Sequence, residues 1–245
     1  FGVIFMISWL ALVGSLAFAQ DELSEPEYSV IFEKDVPIQV RDGTVLRADI
    51  YRPDVPQGNT EKFPALISLS AYQKAMDRIL PHEPPFTHVE RPEPDWWVPR
   101  GYTLVFIDTR GTGTSPGQSD LWSMQEAWDY YDAIEWAADQ SWSNGKVGLV
   151  GVSYYAITQW NVSSLQPPSL TTIVPWEGWA DMYRDSVFHG GIFNQGFYGR
   201  WWLDVRGKQL LENTRADNSA ALSEDLIYNF MAHHLDSPWW DEVKS

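Results

Sequence analysis

The sequence predicts an α/β fold: a mostly parallel β-sheet with helices on both faces, followed by an inserted helical region. Three observations carry this. Apolar runs of strand length at Pro64–Ser70, Tyr102–Asp108, Val147–Gly151 and Leu170–Pro175 are separated by loops and by helical periodicity. One of these runs leads through Gly-x-Ser straight into a helix-like stretch, at Lys146–Trp160. After Trp176 the strand pattern stops, and the chain turns aromatic, Gly-interrupted and polar, helix-like where it is periodic.

The elements follow in order. Phe1–Ala19 is an uncharged apolar run ending Ala17-Phe18-Ala19, with Gln20-Asp21-Glu22 after it. Its small residues fit a cleavage site, so residues 1–19 are expected to be a signal peptide and the protein secreted, periplasmic or extracellular. The run is also nearly long enough to span a bilayer, which leaves a signal anchor or a buried helix as alternatives. No Met and no basic segment precede it, as expected of a fragment. Val36–Pro53 (VPIQVRDGTVLRADIYRP) alternates around Asp42-Gly43, a strong hairpin signal. Ala71–Pro99 lacks periodicity and is rich in Pro, His and Trp, a loop of the length that is often functional. Met124–Asp139 has helical spacing, with Ala127, Tyr131, Ile134 and Ala138 expected on one buried face. Residues 28–178 are expected to form the main α/β unit and residues 179–245 the helical insertion.

Composition excludes several function classes. The chain has 245 residues, 44% of them hydrophobic, enough for a large core, and a formal net charge of −16. That acidity disfavours nucleic acid and anionic membrane surfaces as partners. With no cysteine there is no disulfide, no thiolate chemistry and no cysteine metal site. The five histidines, His82, His88, His189, His233 and His234, form no metal-binding spacing, so no metal and no cofactor are expected.

Gly151-Val-Ser153 between a strand and a helix is the grammar of a nucleophile elbow. Such a turn lifts the seryl oxygen out of the sheet, and the first amides of the following helix can face a developing oxyanion. Gly151 lets the strand end pass close to the helix. The fifth position of the common Gly-x-Ser-x-Gly pattern is Tyr155, which leaves a plain strand–turn–helix connection open. Tyr72 follows a strand of the same sheet and reads either as a hydroxyl donor to an oxyanion or as a packed tyrosine. Asp108–Gly117 (DTRGTGTSPG) has the wrong glycine spacing for a dinucleotide loop and carries Pro116 where a helix should begin. A turn held by Asp108 and Arg110 is expected instead. The pairs Trp96-Trp97, Trp201-Trp202 and Trp239-Trp240 suit either a ligand surface or core packing, and Asn161-Val-Ser163 is a sequon inside the elbow helix, expected to be partly buried and unused. A serine hydrolase also needs a histidine base and a carboxylate on loops after strands. No convincing strand follows Pro175, so His233 and His234 are expected to be cap or surface residues.

Together, these motifs resemble those of one family. The pieces are Val36–Pro53, Tyr72 with Lys74, Asp108–Gly117, Glu126–Trp160 and Ala180–Asp185 (ADMYRD), in that order. The resemblance is to the α/β-hydrolase group of X-Pro dipeptidyl-peptidases, cocaine-esterase-like (CocE/NonD) acyl esterases and α-amino-acid ester hydrolases. It implies Ser153 as nucleophile, Tyr154 through its backbone N–H and Tyr72 through its hydroxyl as oxyanion donors, and a helical cap inserted after the sixth strand. It implies a small-molecule ester or short peptide as substrate and leaves a homo-oligomer open. The family's catalytic Asp and His follow the cap, so they are expected beyond residue 245, and the chain alone is expected to be nearly inactive, with an uncovered sheet edge. Trp179, Tyr183 and Phe188 at the start of the cap are expected to bind an apolar acyl group. Where members often carry Gly three residues after the nucleophile, this chain has Ala156.

Overall fold

The computed structural model describes residues 23–76, 90–208 and 225–244. The apolar run at 1–19, and with it the signal-peptide or anchor expectation, lies outside the described residues, as do His82 and His88. No described helix is long and apolar enough to cross a membrane.

The strands are β1 (Val30–Gln39), β2 (Val45–Pro53), β3 (Phe63–Ser70), β4 (Thr103–Asp108), β5 (Ser143–Val152) and β6 (Leu170–Trp176). They form one sheet in the order β1-β2-β4-β3-β5-β6. The expected hairpin pairs β1 with β2 antiparallel, and β2 lies antiparallel to β4; β4, β3, β5 and β6 run parallel. At the hairpin tip, Gly43 N–H bonds Val40 O and Asp42 Oδ1 accepts from Thr44 N–H. The first strand starts at Val30, earlier than the alternation indicated, because a bulge between Glu33 and Val36 breaks the period of two while pairing continues.

The central strands β3 and β4 are almost wholly buried, as covering on both faces requires. One face carries Ile67, Leu69, Val105, Ile107 and Leu149 against Tyr130, Ala133 and Ala137 of α2 (Met124–Ala138). The opposite face packs Leu66, Leu104, Phe106 and Val150 against Val98 and Trp97. Those last residues belong to α1 (Pro94–Trp97) and the 3₁₀ turn after it (Val98–Arg100), short helical pieces inside the stretch expected to be a plain loop. Pro94 and Pro99 each sit in the first turn of their piece, where a missing N–H costs nothing.

The buried face of α2 differs from the expected one. Ala127 and Ile134 are buried, but Tyr131 and Ala138 lie at the rim, and Tyr130, Ala133 and Ala137 take the centre, with Glu126 and Asp129 buried beside them. Small residues let the helix approach the sheet, and Tyr130 reaches across to donate to Ile67 O at 3.0 Å. Tyr131 instead helps hold Arg41, whose guanidinium stands over it and over Trp128.

After β6, no described strand joins the main sheet. A single π-turn (Tyr183–Val187) leads into a two-stranded ribbon of β7 (Phe188–His189) and β8 (Ile192–Phe193) turning through Gly190-Gly191, which the periodicity did not reveal. The helices α4 (Gln195–Lys208), α5 (Leu226–Ala232) and α6 (Pro238–Val243) follow. Their aromatic core runs from Tyr183, Phe188, Tyr198, Trp202, Phe230 and Trp240 into Trp122, Tyr154 and Ala71 of the main sheet unit. On β6, which has one strand neighbour among the described residues, Val174 and Trp176 are exposed, as is Trp160 of the adjoining helix.

A buried ion cluster fixes the turn after β3. Lys74 Nζ lies 2.7 Å from Asp35 Oδ1, 2.9 Å from Asp108 Oδ2 and 3.9 Å from Asp49 Oδ1. Burial alone would lower the lysine pKa, but the carboxylates of Asp108, Asp49 and Asp35 outweigh it and hold the ammonium above its ordinary value. Asp108 also accepts from the backbone N–H of Lys74 at 2.7 Å and of Thr114 at 2.9 Å. The loop after β4 is therefore the structural turn expected from Asp108 and Arg110, the latter pinned to Asp129 and Asp42. At Gly113, a Cβ would stand 2.2 Å from Asp108 Oδ2, so only glycine fits. Lys74→Met would leave Asp49 and Asp108 buried without their cation, and we expect a loss of roughly 3–5 kcal/mol in urea unfolding.

Candidate active site

The parallel register brings the elbow and the Tyr72 turn together. β3 and β5 are neighbours, with Ile67 opposite Leu149. Five residues beyond that pair stand Tyr72 and Tyr154, whose rings are 5.6 Å apart at the carboxyl edge of the sheet. Ligands of parallel sheets gather at this edge.

Ser153 directly follows β5 and caps α3 (Tyr154–Ser164) with φ 59° and ψ −116°, a backbone region that side chains rarely occupy. Strain of this kind costs about 1–3 kcal/mol and persists where surrounding structure enforces it. Here the Ser153 N–H is tied to Trp176 O, and its carbonyl accepts from Ala156 and Ile157. Its side chain makes no capping bond. Tyr154 is the first helical residue, so its N–H belongs to the amides that the helical ladder does not use.

Gly151 is required by the same geometry: a Cβ there would stand 2.4 Å from Tyr155 Cβ. Tyr155, in place of the usual second glycine, is buried with its ring edge-on to Tyr72 at 5.9 Å. Ala156 is accommodated by Gly178, where a Cβ would approach its methyl to 3.0 Å. Asn161 of the sequon is half-buried on α3.

The Tyr72 hydroxyl accepts from Trp201 Nε1 at 3.0 Å, and the Tyr72 ring lies beside those of Tyr154 and Tyr155, the two residues after Ser153. Burial pushes the phenol up to about 12, so the hydroxyl keeps its proton through the neutral range. The turn carrying it is braced from below, with Tyr72 N–H on Ser70 Oγ and the Arg91 guanidinium donating to Lys74 O at 2.6 Å.

Behind the elbow lies a polar network that the sequence reading missed. Glu126 is buried and accepts from Tyr154 Oη at 2.6 Å, Thr109 Oγ1 at 2.7 Å and the Trp122 N–H at 2.8 Å. The Ser123-x-x-Glu126 spacing of a capping box was there to be read: Ser123 caps α2, but the glutamate turns to Trp122 and the elbow. Burial pushes its carboxyl up to about 7, against the pull of Tyr154, Thr109, Trp122 and Lys244. A carboxyl raised in the folded state holds its proton where the unfolded chain has lost it. Stability therefore falls as pH rises from about 4.5 to about 7, by about 3 kcal/mol at about 1.4 kcal/mol per unit. Glu126→Gln is expected to remove that slope, at a constant cost of about 1–3 kcal/mol because an amide nitrogen cannot accept from one of the three donors. Urea melts of both proteins across pH 4–8 read the difference.

The other expected site residues divide. Trp179 is half-buried with its ring edge on Trp122 at 5.5 Å. Tyr183 and Phe188 are buried in the cap's own core, stacked at 5.0 Å, with the Tyr183 hydroxyl on His234 O. His189 contacts the Asp185 carbonyl, His233 stacks on Trp239, and His234 faces Met231 O, all on the cap. The paired tryptophans are largely packing residues: Trp202 and Trp240 are buried, and Trp96 and Trp97 pack edge to face. Trp201 is different, since its indole reaches Tyr72.

A serine on a strained strand-to-helix turn, at the carboxyl edge of a mostly parallel sheet and beneath a helical cap, defines the α/β-hydrolase class. The chain belongs to the X-Pro dipeptidyl-peptidase (S15) family, whose model matches residues 42–243. Cocaine esterase of Rhodococcus sp. (strain MB1 Bresler) is 34% identical over 157 residues, 64% of this chain and 25% of that protein. The crystal structure of a CocE/NonD family hydrolase from Staphylococcus aureus matches with TM-score 0.74 and 42% identity, over 87% of this chain and 38% of that one. An α-amino acid ester hydrolase structure matches with TM-score 0.63 at 21% identity, over 96% of this chain and 42% of that one, which shows a shared fold. The family resemblance read from the motifs is borne out. The chain spans between about a sixth and a third of the length of the curated relatives it matches.

Proposed function

We propose that the protein carrying this chain is a serine hydrolase that cleaves ester or amide bonds through an acyl-enzyme, with acyl esters as the leading substrate class. Ser153 Oγ attacks the carbonyl carbon, the C–O or C–N bond breaks as the leaving group takes a proton, and water then releases the acid. The Tyr154 N–H and the Tyr72 hydroxyl receive the oxyanion. The observation that carries this reading is Ser153 on its strained turn, with Tyr72 at the end of the neighbouring strand and its ring 5.6 Å from that of Tyr154. The base and its orienting carboxylate are proposed to come from beyond residue 245. The described histidines are engaged on the cap, and the relatives are longer. The leader-like residues 1–19 support export as the proposed localisation. A purely ligand-binding role for the tryptophan pairs is not favoured, because most of those rings are packed in cores.

The test is fluorophosphonate labelling of the full-length protein. A stoichiometric adduct is expected on the peptide containing Ser153. No adduct on folded protein would end the reading. Acyl esters assayed beside X-Pro amides then separate esterase from dipeptidyl-peptidase, with higher kcat/KM expected on the esters.

A further inference from the structure

We propose that Trp201 of the cap is a positioning residue of the oxyanion hole: its indole N–H occupies one acceptor site of the Tyr72 hydroxyl and so directs the phenolic proton toward the developing oxyanion. The inference rests on the reading of Tyr72 as an oxyanion donor.

The argument is one of donors and acceptors. A phenol has one proton and two acceptor sites, whereas an indole nitrogen can only donate. The 3.0 Å bond from Trp201 Nε1 to Tyr72 Oη therefore occupies an acceptor site and leaves the phenolic proton for another partner. With the indole on one side of the oxygen, that proton is directed to the other side, away from Trp201. Without the indole, this constraint on the rotation of the hydroxyl about its C–O bond is lost. With it, the one orientation that serves an oxyanion is already formed, and a donated bond polarises the phenol into a better donor.

Trp201 is itself held in place. Its ring stacks on buried Trp122 at 5.0 Å and 22°, and Trp122 packs on Tyr154 at 5.1 Å. Phe197, one turn earlier on α4, flanks it at 6.4 Å. One cap residue thus touches the side chains of both oxyanion residues, with Tyr154 at 6.3 Å and Tyr72 at 6.3 Å. The cap then does more than cover the site, because it sets the direction of a proton in it. Since the phenol stays protonated through the neutral range, the effect is independent of pH there.

The test is a double-mutant cycle in the full-length enzyme. Trp201→Phe keeps an aromatic ring and removes the N–H. We expect kcat to fall about 5–10-fold with KM within about twofold, and no further loss when Trp201→Phe is added to Tyr72→Phe. Affinity for a boronic acid, whose tetrahedral adduct mimics the oxyanion, should fall in parallel. Additive losses, a change confined to KM, or wild-type kcat would overturn the role of Trp201. Tyr72→Phe without effect would instead sink the oxyanion reading itself. Should Trp201→Phe not fold, the wild-type enzyme still decides. The Trp201 indole ¹⁵N–H resonance must move on phosphonylation of Ser153, and an unmoved resonance rejects the proposal.

Discussion

Ser153→Ala is expected to lower hydrolysis by the full-length protein by roughly 10⁴-fold or more. The side chain has no capping role in α3, and the strained backbone at φ 59° is the same for serine and alanine. Removing the oxygen therefore costs the fold little, and the thermal midpoint should stay close to that of the parent. The Tyr72 hydroxyl keeps its bond from Trp201. Activity is read with a p-nitrophenyl acyl ester and stability by calorimetry. Turnover within tenfold of the parent would place the nucleophile elsewhere. An unfolded variant would show that the elbow depends on the hydroxyl.

Tyr72→Phe is expected to lower kcat by roughly 10²–10³, the magnitude of losing one preorganised oxyanion donor. The phenyl ring keeps its contacts with Tyr154, Tyr155 and Trp201, so substrate binding should change little. The Trp201 N–H loses its acceptor, which adds a stability cost of about 1–3 kcal/mol. The deciding measurement is the split between kcat and KM. A large rise in KM at constant kcat would make Tyr72 a ground-state binding residue.

Much of this was legible because the signals are local. The β1–β2 hairpin follows from alternation around Asp42-Gly43, and the buried strands β3 and β4 follow from unbroken apolar runs. The elbow was readable because Gly151 answers to a contact within a few residues, that with Tyr155. The turn of Asp108 and Arg110 was readable from its glycines. What failed was periodicity under competing demands. The face of α2 shifted to Tyr130, Ala133 and Ala137 because close approach to the sheet favours small residues over Tyr131. The aromatic start of the cap suggested an acyl pocket, yet Tyr183 and Phe188 serve the cap's own core. Aromatic composition cannot distinguish a pocket wall from a core, since both reward the same buried area.

By itself, then, the sequence determined the α/β class, the order of the sheet strands along the chain, the strand–turn–helix at Ser153 and the family. Each is written in contacts between residues close along the chain or in the pattern of one element. Only the tertiary structure decided which distant groups meet. Parallel pairing of β3 with β5 sets Tyr72 beside Tyr154, α2 carries Glu126 beneath the elbow, and α4 brings Trp201 across 129 residues of sequence to the Tyr72 hydroxyl. Such contacts leave no periodic trace, because a hydrogen bond between two side chains far apart in the chain depends on the packing of everything between them.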